Sequence, residues 1–293
     1  DAHLSTYLKM ADVEVGALCD IDTNVVQGAT ERVEKANGTK PAFYQDARKL
    51  MEDKSIDAVS IATTNQTHSY FAVLALQAGK HVYVEKPMSH TIWEGRKVVE
   101  AQKKYGKVVQ HGTQCRSITG MKQAMAFLHG GGLGAIQRVR GLCYKSRPSI
   151  GTKPDGPVPK GVDYDLWLGP APERPFNPNR FHYNWHWHWD YGNGDIGNQG
   201  VHEMDIARWG LQKREMPLTA QSVGARLGYK DDGETPNTQV GVLDYGDAQI
   251  IFEVRGLDTD ACKPCPKGAD VKIGVVFECA GGKMVVPSYT SAI

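Results

Sequence analysis

Apolar positions along the first third of the chain follow two alternating rhythms. Asp12 to Cys19 (DVEVGALC) alternates polar residues with Val and Leu and predicts a strand. Asp57 to Thr63 (DAVSIAT), His81 to Glu85 (HVYVE) and Lys107 to His111 (KVVQH) predict three more. Amphipathic helices fall between them: Thr23 to Ala36, capped by Asp22 or Thr23; Tyr44 to Lys54; His68 to Ala78, closed by Gly79; and Thr91 to Tyr105. Strands alternating with helices of about 10–15 residues predict a doubly wound parallel sheet, a Rossmann-like domain over residues 1–115.

The rhythm then changes. Ile118 to Leu128 predicts a helix, Ile136 to Lys145 a strand, and the Pro- and Gly-rich residues 146–180 a long surface excursion. Gln199 to Leu211 predicts a helix. Thr219 to Leu227, Gln239 to Tyr245, Ala248 to Val254 and Val271 to Cys279 predict strands joined without intervening helices. Residues 116–293 are therefore expected to form an α+β domain with an open, mainly antiparallel sheet and helices on one face.

Composition changes this picture little. The 293 residues are 41% hydrophobic, enough for two cores, and the formal net charge of +1 supports neither nucleic-acid nor membrane-surface binding. No apolar run nears the roughly 20 residues that span a bilayer. Of the six cysteines, only Cys262-x-x-Cys265 has metal-like spacing, and without a second pair it reads as a loop with two thiols; Cys115 reads as structural. No bound metal is expected. The chain opens (DAHLSTYLKM) as a helix already under way and stops (MVVPSYTSAI) without a turn or cap, so both ends are expected to be cut.

Gly192-x-Gly194-x-x-Gly197, inside WHWHWDYGNGDIGNQGVHEMD, matches the pattern of a dinucleotide loop. A real one follows an apolar strand and has an acid about 20 residues on, at the end of the next strand. Gly192 follows alternating Trp and His, and MPLTA lies where that acid should be. The acid that fits is Asp20, at the end of VEVGALC, where a carboxylate can take both ribose hydroxyls. Ile21-Asp22 offers no positive charge for a 2′-phosphate, which favours NAD over NADP. Counting back about 20 residues from Asp20 passes the start of the chain, so the first, central strand and its glycine loop are expected to be missing. Its two neighbouring strands would then lose their partner.

Ala62-Thr63-Thr64-Asn65-Gln66-Thr67-His68, Glu85-Lys86-Pro87 and Gly200-Val201-His202-Glu203-Met204-Asp205 together resemble the glucose–fructose oxidoreductase / inositol dehydrogenase / MocA family. The resemblance covers essentially the whole chain. It implies a Rossmann domain followed by an α/β domain with a large open sheet, and NAD- or NADP-dependent chemistry on sugars and polyols. It also implies that Lys86 contacts cofactor and substrate, that Asn65, His68, Glu85 and Gln114 line the nicotinamide half of the cleft, and that Thr63 and Thr64 approach its ribose.

Taking a hydride from an alcohol needs a group that removes the hydroxyl proton. His202 is the candidate, three residues before Asp205 on the same helix. The family commonly has an Asp four residues before this His. Here Asn198 stands there, and Asp195 could substitute. If Tyr183 to Tyr191 is extended, Tyr183, Trp185, Trp187, Trp189 and Tyr191 share one face and Asn184, His186, His188 and Asp190 the other, a platform for a sugar ring. Arg180, Trp185, Trp187, His188 and Asp205 are the expected substrate contacts. The tips of the strands carrying Asp20, Asn65 and Lys86 are expected to converge on a crevice closed by His202.

The leading expectation is an NAD-dependent oxidoreductase of a sugar, polyol or glycoside. The alternatives are an NAD-retaining enzyme that cleaves a glycosidic bond and a non-catalytic cofactor-binding protein. The family resemblance implies a homo-oligomer through the second-domain sheet. The compartment expected by default is the cytoplasm, or the periplasm if a twin-arginine signal precedes this chain.

Overall fold

The structure, a computed structural model, describes residues 2–263 and 270–293, which divide into two compact units. Of the described residues, the first comprises those from 2 to 112 and from 154 to 181, the second those from 113 to 153 and from 182 to 293. Cys265 lies outside the described residues.

The first unit opens with helix α1 (Ala2–Tyr7), then strand β1 (Ala17–Cys19), a 3-10 turn capped by the Asp22 side chain, and α2 (Val26–Asn37). Strand β2 (Ala42–Tyr44) and α3 (Ala47–Glu52) follow where the apolar pattern predicted one longer helix. Asp46 breaks that helix by capping α3: its carboxylate accepts the Arg48 amide. Strand β3 (Ala58–Ile61) leads into α4 (Asn65–Gln77), and β4 (His81–Val84) into α5 (Ile92–Tyr105), which Thr91 and Glu94 start with a reciprocal capping box. Gly79, at φ 79°, lets the chain turn out of α4 into β4. Strand β5 (Val109–His111) ends the series.

All these strands pair in parallel, but in two pieces, β1–β2 and β3–β4–β5. No described strand joins β1 to β3. The two pieces share one core: Ile61, Val82, Val84, Ala72, Leu76 and Val98 pack with Ala17 and Tyr44 around them.

The chain then enters the second unit with α6 (Thr119–His129) and β6 (Ile136–Cys143), and returns to the first as residues 154–181, which carry α7 (Tyr164–Leu168). This segment corrects the expected surface excursion. Trp167, Leu168, Phe176 and Phe181 are all buried, with Tyr164 stacked on Trp167 at 5.5 Å. Pro and Gly set its turns, and its aromatics give it a core.

The second unit continues with α8 (Gly194–Asn198), α9 (Gly200–Gly210), β7 (Thr219–Ala225), β8 (Thr238–Asp244), β9 (Gln249–Arg255), β10 (Ile273–Cys279) and β11 (Gly282–Val286). The six-stranded order is β11-β10-β6-β9-β8-β7, antiparallel except for β6 beside β9. Helices α6 and α9 cover one face, with Ile206, Met121 and Met125 against Val139, Ile250 and Phe277. At the far edge β7 is exposed along its whole length.

Candidate cofactor and substrate sites

In the first unit the expected cofactor residues follow the carboxyl ends of parallel strands, where open α/β sheets place their ligands. Asp20 directly follows β1 and is exposed; its Oδ1 accepts the Asp22 amide at 3.0 Å. Thr63 and Thr64 lie between β3 and α4, and Asn65 is the first residue of that helix. The helix begins three residues before its expected start because Thr64 is extended (φ −84°, ψ 156°) and serves as its cap residue. Thr67 Oγ1 donates to Thr63 Oγ1 at 2.7 Å and so fixes the loop. Glu85 and Lys86 follow β4, whose Val84 is in register with Ile61 of β3.

His68 takes a different place from that expected. Its ring is buried, with Nδ1 2.7 Å from the Pro87 carbonyl and Nε2 3.1 Å from the Thr63 carbonyl. It ties the loop after β3 to the loop after β4. Desolvation outweighs the two carbonyls and holds the imidazole pKa below its usual value. Glu85 is opposed by desolvation, yet the Lys86 amide and the His3 ring, 2.8 Å from Oε1, hold its carboxyl below the usual range. Gly112 sits against it: a Cβ there would lie 3.2 Å from Glu85 Oε1.

The donor set suits a dinucleotide. A carboxylate for a ribose diol, two threonine hydroxyls and a helix amino end lie on the same unit as a half-buried ammonium, Lys86. Arg180 departs from expectation. It lies on the returning segment, and its guanidinium donates to Asp155 Oδ1 at 2.8 Å, an oxygen that also accepts from Asn177. That pairing ties the returning segment to itself.

In the second unit α9 carries His202, Glu203 and Asp205. His202 is buried, its ring 5.1 Å from that of Tyr289. Tyr289 OH donates to Oε1 of the fully buried Glu203 at 2.8 Å, and desolvation with that carboxylate pushes the phenol pKa well up. Asp205 accepts from Arg116 through both oxygens, and that guanidinium lies 5.2 Å over the Trp209 ring. Asn198 ends α8, and Gln114 begins a 3-10 turn of this unit and is exposed.

Asp195 is engaged in an ion pair. It is buried and bound through both oxygens by Arg147, which in turn lies 4.9 Å over the Trp187 ring. This ion pair was invisible in the sequence because its members are 48 residues apart. The same holds for Tyr289 and Glu203, 86 apart.

The aromatic run is not extended. Asn184–Trp187 is a 3-10 turn, so alternation of side chains between two faces does not arise. Trp185, Trp187 and Tyr191 turn into the core, while Tyr183 and Trp189 stay exposed. His188 is buried with Nδ1 3.6 Å from Glu234 Oε1. The glycines of the GxGxxG match serve close packing: a Cβ at Gly192 would lie 2.7 Å from the His186 carbonyl. Among the described residues no three His, Cys, Asp or Glu side chains are grouped to hold a metal. Cys115 is buried, and desolvation raises its thiol to about 11.

Comparison with known proteins agrees with this architecture. Residues 1–113 match the Gfo/Idh/MocA model described as an oxidoreductase family, NAD-binding Rossmann fold. Residues 135–282 match the family's C-terminal alpha/beta domain. The inositol 2-dehydrogenase of Salmonella paratyphi B is 32% identical over 154 residues, 52% of this chain and 44% of that protein. A glycosyl hydrolase family 109 protein of a Shewanella species is 31% identical over 110 residues, 36% of this chain and 24% of that protein. The chain thus spans under half the length of these curated relatives. The WlbA dehydrogenase from Bordetella pertussis, solved with NADH and UDP-GlcNAcA, superimposes with a TM-score of 0.70 at 20% identity, over 99% of this chain and 76% of that one. With family models matching residues 1–113 and 135–282, this chain belongs to the Gfo/Idh/MocA oxidoreductase family.

Proposed function

We propose that the protein is an NAD-dependent oxidoreductase that moves hydride between nicotinamide and a hydroxyl-bearing carbon of a sugar, polyol or glycoside. The observation that carries this reading is the array after β1, β3 and β4: Asp20, Thr63 to Asn65, and Glu85-Lys86. The family's NAD-binding fold, the name of the Salmonella relative and the NADH in the Bordetella structure support it. NAD would accept the hydride. Asp20 would hold the adenosine ribose through its diol, and Thr63 and Thr64 the nicotinamide ribose. Lys86 would orient the reacting hydroxyl, and His202 would take its proton. Asn198 would orient a hydroxyl as an amide. His68 would act through the loops it ties.

A second reading, an NAD-retaining glycoside-cleaving enzyme, is favoured by the name of the Shewanella relative. One incubation with NAD and candidate polyols and glycosides separates the two. Accumulating NADH supports the first, and sugar release without net NADH supports the second. Binding of NAD with neither product would leave a cofactor-binding protein.

The first unit, which takes in residues 154–181 in place of the sequence boundary at 115, would form the cofactor domain, and the second unit the substrate and oligomerisation domain. A second copy would cover the open sheet, where Leu218 is 74% and Val223 76% exposed. Among the described residues no helix is long and apolar enough to cross a membrane. The compartment we infer is the cytoplasm, or the periplasm where a twin-arginine signal directs export.

A further inference from the structure

The returning segment grips the first unit at two places. Its first grip is the turn after Asp20. Thr23 N donates to Gly161 O at 3.0 Å, Asp163 N to Ile21 O at 2.9 Å, and Val162 forms a β-bridge with Asp22. Thr23 Oγ1 and Asn24 Nδ2 add bonds to the Gly161 and Lys160 carbonyls. Gln45, from the β2–α3 loop, clasps both strands of this contact: its Nε2 donates to Ile21 O at 2.9 Å and to Gly161 O at 3.2 Å. The second grip is the amino end of α4, where Gln66 Nε2 donates to Trp167 O at 3.2 Å.

The first grip reaches Asp20. The Asp22 held by Val162 is the residue whose amide donates to Asp20 Oδ1. The orientation of that carboxylate therefore follows the turn, and the turn follows the segment. Gly161 is required for the approach, since at φ 91° its Cβ would lie 2.6 Å from Thr23 Oγ1.

We propose that residues 160–169 are a positioning strap that presets Asp20 for the adenosine ribose, with Gln45 as the positioning residue. The strap sets affinity for the adenosine half of the dinucleotide and leaves proton and hydride transfer alone. Preorganisation is the physical basis: a carboxylate fixed before binding loses less freedom on binding. The inference rests on the reading that NAD binds along this edge.

The test is calorimetric titration of the full chain with ADP-ribose and with NAD. Gln45→Met removes both clasp donors while keeping volume, and Gly161→Ala pushes the strap from the turn. Gln102→Met is the control; it removes a comparable bond, from Nε2 to Lys107 O, beyond the end of α5. Expected in each strap variant is a loss of affinity of about tenfold for both probes, from the two lost clasp bonds in Gln45→Met and from the steric push in Gly161→Ala. The KM for NAD should rise while kcat holds, and the control should match the parent. Should Gly161→Ala not fold, Gln45→Met decides. A folded Gln45→Met protein with parental affinity, or one that loses kcat at unchanged NAD affinity, overturns the strap's role. A parent protein that binds neither probe overturns the cofactor reading itself.

Discussion

Both carboxylate oxygens of Asp195 are held by the guanidinium of Arg147, at 3.0 Å from Nε to Oδ2 and 2.6 Å from Nη2 to Oδ1. A carboxylate so engaged and buried is an anchor, and in the proposed function it is His202 that would take the proton. Arg147→Ala leaves the acid without its partner and should cost about 3 kcal/mol of stability. Asp195→Asn should lower the urea midpoint too, yet leave the shape of the kcat/KM pH profile as it was. A displaced acid limb in that profile would return Asp195 to the chemistry.

His68 links pH to stability. Burial lowers its pKa in the folded state, so the unfolded chain binds the proton more readily. Its contribution is present above the ordinary value of 6.5 and is lost as the pH falls below it. Urea midpoints measured between about pH 5 and 8 should fall toward acid in the parent. His68→Gln should flatten that slope, and an equal slope in both proteins would count against the clamp.

The chain's legibility had physical limits. Strands β3 and β4 were readable because DAVSIAT and HVYV are short apolar runs bounded by turn residues. Asp20, Asn65 and Lys86 could be placed because each follows such a run. Strands β2 and β11 were not read, since AFY is too short for a period and GKMVV sits beside a terminal stretch. The run YNWHWHWDY misled because its alternation is between aromatic residues and polar ones that are half-buried or, as His188 is, fully buried, so neither set marks a solvent face. The returning segment, residues 154–181, misled by its Pro and Gly content. Pairings across long separations, such as Arg147 with Asp195, leave no local trace.

A second acid-sensitive point lies in the second unit. Asp231 accepts from Arg226 through both oxygens and from the Ile150 and Gly233 amides. Desolvation opposes its charge, but these donors outweigh it and lower the carboxyl pKa. Its stabilisation is full above the ordinary carboxylate range, near 3.9, and is lost as the pH falls through the lowered folded value. Asp231→Asn should cost about 2 kcal/mol at neutral pH and shrink the acid-side decline, as read by thermal unfolding at stepped pH.

Gly112 should tolerate little. Alanine there meets the Glu85 carboxylate at 3.2 Å and its Cα at 3.3 Å, so the residue beside Lys86 must shift. Gly112→Ala is expected to lower turnover about tenfold while costing about 1 kcal/mol of stability. Parental turnover would show that the Glu85 position is not critical.

The most direct measurement is NADH formation from NAD with a panel of polyols and sugars that includes myo-inositol, comparing the parent with Lys86→Ala. Expected are NADH from at least one substrate and a loss of about a hundredfold or more in the variant. Undiminished NADH formation by Lys86→Ala, or sugar release by the parent without NADH, would contradict it.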